Sequence, residues 1–298
     1  MASPLSKAGV EEEIVEFAPA KINLYLHVLG KRDDGYHLLD SLIAFADIGD
    51  YVRVEPDAQL SLRLEGPFAQ SLSVGADNLV LRAAQSLRIF LNNEQGARIT
   101  LTKNLPVASG IGGGSANAAA TLRALLNLWN IKDRISANDL AALSLKLGAD
   151  VPVCLWRRTS YFGGVGEIID PAPPLPEIYL LLANPLIATP TPQIFTNRRG
   201  PYSSKARLAE WPSDARQFTK MLSDRHNDLE CPAQEIVPII KDVLKMIETT
   251  DHCLLARMSG SGATCFGLYE KQEEAIAAAE TLKKARPSWW VENGRLAP

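Results

Sequence analysis

The sequence predicts a mixed fold, α/β and α+β, divided into two domains. Three observations predict it. Strand-like alternation and helix-like periodicity interleave along both halves of the 298 residues. Hydrophobic residues make up 46% of the chain, enough to bury one large core or two moderate ones. The proline-rich stretch PAPPLP at 171–176 separates two such mixed segments, so the expected domains are 1–170 and 171–298.

From Glu13 to Leu29 the chain reads as a strand interrupted near Pro19. Beyond the proline, Ile22, Leu24, Leu26 and Val28 fall on one face, with Lys21, Asn23, Tyr25 and His27 on the other. An Asp34-Gly35 turn signal then predicts a hairpin into the apolar run LLDSLIAFADIGD. YVRVE and LSLRLEG alternate as further strands. DNLVLRAAQSLRIFL carries a helical stripe of Leu79, Ala83, Leu87 and Phe90, with Asp77 placed to cap it.

ARITLTKNLP reads as a strand ending at Pro106, and a glycine loop follows it. The next helix starts near Ser115 and buries Leu122, Leu125, Leu126 and Trp129. SANDLAALSLKLG is a second helix, opened by Ser136 and Asp139 in a capping-box-like pattern and stopped by Gly148. After the proline-rich stretch come a strand (IYLLLAN), a loop (PLIATPTPQIF), a polar stretch to about Asp224, and helices between Asp228 and Thr250. LLARMSGSGATCFGLYE reads as strand, glycine turn, strand, and EEAIAAAETLKKA as a helix with a cationic last turn. The sequence shows no internal repeat.

Composition narrows the function classes. The formal net charge is −3 and no run of Lys and Arg exceeds two residues, which argues against a nucleic-acid surface. The longest apolar run, Ile178 to Ala183, is far short of the roughly 20 residues of a membrane helix. The segment MASPLSKAGVEEEIVEF has no apolar h-region and does not read as a signal peptide. Cys154, Cys231, Cys253 and Cys265 form no CxxC pair and no zinc-like spacing, so they read as core thiols of a reducing cytoplasm. The expected partner is a small molecule, with neither nucleic acid nor membrane, and the expected location is cytoplasmic.

LPVASGIGGGSANAAATLRALL, from Leu105 to Leu126, places four glycines between Gly110 and Gly114, directly before an alanine-rich helix. Glycine there costs about 1 kcal/mol relative to alanine. Either the stretch is a flexible turn or its backbone comes very close to something negatively charged. Strand, glycine loop and helix N-terminus together make an anion site. A Walker A loop would end in Gly-Lys-Ser/Thr, whereas this one ends Gly114-Ser115-Ala116. A dinucleotide fingerprint would place Gly or Ala where Ser115 stands. Both templates fail.

Pro106, Gly110, Gly112, Gly113, Gly114, Ser115 and Ala116 do match the pattern Pro-x-x-x-Gly-x-Gly-small-small-Ser-small. That pattern resembles the phosphate loop of the GHMP superfamily, named for galactokinase, homoserine, mevalonate and phosphomevalonate kinases. Four other stretches extend the resemblance from residue 18 to residue 267: APAKINLYLHVLGKRDDGYH, LGADVP, HNDLE and RMSGSGATCFG. Together they resemble the branch that phosphorylates a cytidine-diphosphate-linked methylerythritol in non-mevalonate isoprenoid synthesis. Ser109 and Ile111 depart from the pattern, standing where glycine and leucine are commoner; Ser109 is expected to narrow the loop's conformations.

The resemblance implies an N-terminal α/β domain, a ferredoxin-like C-terminal domain and an active site in the cleft between them. It implies ATP as co-substrate, Mg²⁺, and a small-molecule cytidine-diphosphate acceptor. The ATP-binding loop would comprise Pro106, Val107, Ala108, Ser109, Gly110, Ile111, Gly112, Gly113, Gly114, Ser115 and Ala116. Asp150 lies on a short segment between Gly148 and Pro152. By itself it reads first as a loop aspartate capping the next turn, and Lys21 as a solvated strand lysine. The resemblance makes Lys21 and Asp150 the catalytic pair. It places Tyr36 and Phe195 on the two faces of the cytosine, with His37 at its edge. Asn23 and Thr191 would meet the diphosphate or erythritol end. The turn Ser259 to Gly262 would face the phosphate loop, while Asn227 and Asp228 read as caps of the following helix. The metal's ligands are not fixed by the resemblance, although Ser115 is a candidate. A homoserine- or mevalonate-type kinase is the nearest alternative, and a nucleotide-binding sensor without catalysis a further one.

Overall fold

A computed structural model describes residues 13–297, so the reading of the first twelve residues lies outside the described ones. Strands β1 (Ile14–Lys31) and β2 (His37–Asp57) form one long antiparallel hairpin, in register from Lys31↔His37 to Ile14↔Val54. Gly35 closes its turn at φ 90°, a conformation that L side chains rarely adopt. The expected break at Pro19 is absent. A register shift between Pro19 and Lys21 absorbs the proline instead, as a bulge can. The run LLDSLIAFADIGD and YVRVE, expected as separate strands, are continuous within β2.

A second shift, between Asn23 and Tyr25, breaks the simple alternation of β1. Ile22, Leu24 and Tyr25 enter one apolar cluster while Leu26 and Val28 enter another. The polar positions are buried too: Lys21 is 4% exposed, Asn23 2% and His27 5%. A strand buried on both faces does not show the in–out pattern of a half-solvated one.

Then follow β3 (Leu60–Glu65), α1 (Leu79–Phe90), β4 (Gly96–Thr102), α2 (Gly113–Leu128), α3 (Ala137–Leu147), α4 (Val151–Trp156), β5 (Ser160–Gly164) and β6 (Ile168–Pro171). β2 is the spine of this six-stranded sheet. One edge pairs with β1; the other pairs with β5 near Leu39–Ile43 and with β4 near Tyr51–Asp57. Helices cover one face, burying Val52, Val54, Leu87, Ile99, Leu122, Leu125 and Trp129 in one cluster. Each fully buried side chain of this size contributes about 1.5–3 kcal/mol. α1 is capped by Asn78, which accepts from the Val80 amide at 3.0 Å, one residue after the expected Asp77. Its buried face is Val80, Ala83, Ala84 and Leu87, and Phe90 is half exposed. Ser136 does cap α3, accepting from the Asp139 amide at 3.1 Å.

The second part contains β7 (Tyr179–Asn184), α5 (Thr191–Asn197), α6 (Ala215–Ser223), α7 (Glu230–Ile236), α8 (Ile239–Glu248), β8 (Leu255–Met258), β9 (Cys265–Tyr269), α9 (Gln272–Ala285) and β10 (Trp290–Arg295). Its antiparallel order β10-β7-β9-β8 is the ferredoxin-like arrangement. Alternation along β7 sends Leu181 and Ala183 into the cluster shared with α8 and α9. Leu180 and Leu182 point the other way, against Ile22, Leu24, Leu42 and Ala44 of the long hairpin. The two sheets are therefore joined by apolar packing.

Three sequence expectations change here. TPQIFTN, read as loop, is α5. The polar stretch before Asp224 contains α6, capped by Asp214 and burying Ala215, Phe218, Thr219 and Leu222. Cys231 is exposed, not a core thiol, although all four cysteines are free. Among the described residues no helix is long and apolar enough to cross a membrane.

Candidate active site

A cavity of about 970 Å³ is lined by residues of both parts of the fold, the glycine loop among them. Three residues of that loop have positive φ: Ala108 at 51°, Gly110 at 77° and Gly112 at 64°. A Cβ on Gly110 would stand 2.4 Å from the Ser259 carbonyl oxygen, and one on Gly112 would stand 3.0 Å from the Lys21 Cβ. At Gly114 a Cβ would meet no atom within 4 Å. The glycines thus serve different ends. Two let the loop pass tightly over the second glycine turn and β1, and the third leaves backbone open at the head of α2.

Gly112 is the N-cap of α2 and no side chain caps the helix. Its first-turn N–H groups have no intrahelical acceptors, and the helix dipole adds positive potential there. The Ser109 hydroxyl closes onto the Pro106 carbonyl at 2.7 Å, stiffening the loop where glycine is commoner. Pro106 to Gly110 and Gly112 to Ser115 line the cavity. Ile111 and Ala116 do not. At 0% and 1% exposure their side chains pack into the core, so only their backbone belongs to the loop's business with the cavity. The Ile111 carbonyl accepts from the Lys21 amide at 2.9 Å, joining loop to strand.

Lys21 Nζ donates to Asp150 Oδ2 at 2.8 Å and to Asn23 Oδ1 at 2.9 Å. The Lys21 side chain is 5% exposed and that of Asp150 31%, so the carboxylate keeps a face open to the cavity. Asp150 occupies the N-cap position of α4 but makes no capping hydrogen bond, so the helix-capping alternative is not what the structure contains. Asn23 is itself held, donating to Ser41 Oγ at 2.9 Å. Its amide nitrogen donates to Ser259 Oγ at 3.1 Å, and that hydroxyl donates to the Gly110 carbonyl at 3.1 Å. The turn Ser259 to Gly262 accordingly faces the glycine loop.

At one end of the cavity the His37 and Phe195 rings stack, with centroids 5.0 Å apart and planes 26° from parallel. Tyr36 also lines the cavity but sits 66% exposed at the hairpin tip. The ring stacked on Phe195 is that of His37, the first residue of β2, while Tyr36 lies one residue earlier in the turn. Burial, then the charges of Lys31 and Arg198, lower the His37 pKa below its ordinary value. Thr191, at the start of α5, shares a 2.7 Å hydrogen bond with Ser261 and so ties the Phe195 helix to the second glycine turn.

The cavity is also lined by residues that the sequence reading missed, among them Ser71, Leu72, Asn78, Leu79, Lys103 and Asn117. Lys103 is buried beneath the head of α2 and pairs with Asp50 at 2.6 Å. Asp50 also accepts from the amides of Asn104 and Leu105, at 2.6 and 2.8 Å. Burial pulls the Lys103 pKa down, opposed by Asp50. No motif flags either residue; only a charged residue at the end of an apolar strand hints at it.

Of Asn227 and Asp228, only Asn227 meets the head of the following helix, its Oδ1 accepting from the Leu229 amide at 2.9 Å. α7 begins without a side-chain cap, whereas Asn227 Nδ2 donates to the Met258 and Gly260 carbonyls at 2.8 Å each. Asp228 accepts from the Val28 amide at 2.6 Å. Both residues brace neighbouring backbone. Among the described residues no cluster of three or more His, Cys, Asp or Glu side chains could hold a metal ion.

Comparison with known proteins defines the class. The GHMP kinases N terminal domain matches residues 78–158 and the GHMP kinases C terminal domain matches residues 206–287. The chain is 50% identical to the 4-diphosphocytidyl-2-C-methyl-D-erythritol kinase of Paramagnetospirillum magneticum, over 94% of this chain and 97% of that protein. It is 53% identical to the kinase of the same name from Cereibacter sphaeroides, over 94% and 98%. A crystal structure of 4-(cytidine 5'-diphospho)-2C-methyl-D-erythritol kinase superposes with a TM-score of 0.77 at 33% identity, covering 96% of this chain and 100% of that one. The chain belongs to the 4-diphosphocytidyl-2-C-methyl-D-erythritol kinase family, ATP-dependent kinases of GHMP type.

Proposed function

We propose that this chain transfers the γ-phosphoryl group of ATP to a hydroxyl of 4-diphosphocytidyl-2-C-methyl-D-erythritol, in the methylerythritol phosphate route to isoprenoids. The observation that carries the reading is the Lys21–Asp150 contact of 2.8 Å, made inside the same cavity as the glycine loop and the His37–Phe195 stack. Family membership supplies the substrate, and the geometry supports the roles proposed next.

Phosphoryl transfer needs positioning, charge neutralisation and a destination for the hydroxyl proton. The open face of Asp150 accepts that proton as the hydroxyl oxygen attacks the γ-phosphorus and ADP departs. Lys21 anchors the Asp150 carboxylate and lies beside the oxygen on which negative charge develops. The first-turn N–H groups of α2 and the open backbone at Gly114 hold the phosphates. The base of ATP lies toward Asn78 and Lys103, leaving the aromatic end to the acceptor's cytosine, stacked on Phe195 and met by His37 and Tyr36. Asn23 and Thr191 orient the polyol and diphosphate. Mg²⁺ fits this donor set, since that ion is commonly bound by phosphates with few protein ligands, and the Ser115 hydroxyl lines the cavity at the phosphate position. When bound it supplies charge neutralisation across the phosphates. The domain boundary at residues 170 and 171 falls at the end of β6, where the proline-rich link begins.

The test is product structure. With ATP and the cytidine compound, ³¹P NMR should show a new phosphomonoester on the erythritol, an intact diphosphate and one ADP per product. ADP formed without that monoester would refute the reading.

A further inference from the structure

We infer that Lys31 is a specificity-determining residue that engages the diphosphate of the acceptor, a site no motif assigns. The inference rests on the acceptor reading above and deepens it. Three cationic side chains line the cavity: Lys21, Lys31 and Lys103. Two are held by carboxylates, Lys21 by Asp150 at 2.8 Å and Lys103 by Asp50 at 2.6 Å. Among the described residues the Lys31 side chain makes no hydrogen bond or ion pair, and the neighbouring Arg32 is paired with Asp34 at 2.7 Å. Among the described residues the cavity-lining carboxylates are Asp77, which precedes the α1 cap Asn78, and Asp150, which is committed to Lys21. Among the same residues Lys31 is the cavity-lining lysine without a carboxylate partner.

Its placement suits a diphosphate. Lys31 is the last residue of β1 and the cross-strand partner of His37, whose ring stacks on Phe195. Its charge reaches that ring, contributing to the lowered His37 pKa. A cytosine held there carries its diphosphate one ribose away, toward Lys21 and the glycine loop. The hairpin turn holds the Lys31 backbone in place, as Arg32 N donates to the Tyr36 carbonyl at 2.8 Å. The lysine stem is flexible and its ammonium is a compact, hydrated point charge, suited to a phosphate group at an open rim. An exposed pair of this kind gives a modest, salt-sensitive gain.

The experiment compares Lys31→Gln and Lys31→Arg with the wild type, using calorimetric binding of CDP and of cytidine and the KM for ATP. Lys31→Gln should weaken CDP by about three- to tenfold while leaving cytidine binding and the ATP KM at wild-type values. The difference in CDP binding should shrink as salt is raised, and Lys31→Arg should restore most of it. Equal weakening of CDP and cytidine would mean that Lys31 only shapes the hairpin and overturns the inference. Unchanged CDP binding in Lys31→Gln overturns it too, and leaves the acceptor reading intact. A wild type that binds neither CDP nor cytidine overturns the acceptor reading and Lys31 with it.

Discussion

Lys21 Nζ and Asp150 Oδ2 stand 2.8 Å apart although 129 residues of chain separate them. The lysine comes from the bulged centre of β1 and the aspartate from the head of α4, so the pair exists only once hairpin and helices have packed. The same lysine is fastened through its backbone to the glycine loop. The glycine loop and the proposed proton acceptor are in this way referred to one strand.

Asp150→Asn keeps the volume and removes the base. Its kcat should fall by about 10²–10⁴, the range for loss of a general base, with ATP affinity little changed. Single-turnover kinetics beside nucleotide titration checks this. Near-normal turnover would remove Asp150 as proton acceptor.

Gly112→Val should abolish nucleotide binding in a folded protein. Gly112 sits at φ 64° with Lys21 Cβ 3.0 Å from where its own Cβ would be. A β-branched side chain there is strained in backbone and pushes against the catalytic lysine itself. Circular dichroism should show retained secondary structure, and calorimetry no ATP binding. Unchanged ATP affinity would return the loop to a flexible turn.

Much of this was legible beforehand because it lay in local pattern. The glycine loop, the Asp34-Gly35 turn and the Ser136 cap are short-range chemistry, and the catalytic pair came through family resemblance. What escaped was long-range. The burial of Lys21 and Asn23 depends on the second sheet covering a strand that alone looks half-solvated. The Lys103–Asp50 pair joins two strands with no motif between them. The direct stacking of His37 on Phe195 joins residues 158 positions apart, and no local pattern announces it. The helix at Thr191 was obscured by its prolines, though Pro192 lies in its first turn, where proline is tolerated.

Lys103→Met should destabilise the fold. Asp50 would keep its two backbone donors but lose its countercharge in a site where both side chains are almost fully buried. Breaking such a pair costs about 3–5 kcal/mol. Adding Asp50→Asn should recover part of that loss. Urea unfolding midpoints of wild type, single and double variants decide it, and an unshifted midpoint in Lys103→Met would show the pair to be dispensable.

The central claim is that this cavity phosphorylates an alcohol carried on a cytidine diphosphate, and base dependence tests it most directly. Steady-state kinetics of the wild type and Phe195→Ala should be measured with three acceptors: the cytidine compound, base-free methylerythritol phosphate, and homoserine. Losing one stacking ring costs about 1–3 kcal/mol, so Phe195→Ala should raise the KM for the cytidine compound roughly tenfold or more while leaving the KM for ATP unchanged. The base-free fragment should be a poor substrate for both proteins and insensitive to the substitution. Efficient turnover of homoserine, or equal use of the cytidine compound and its base-free fragment, would contradict the account.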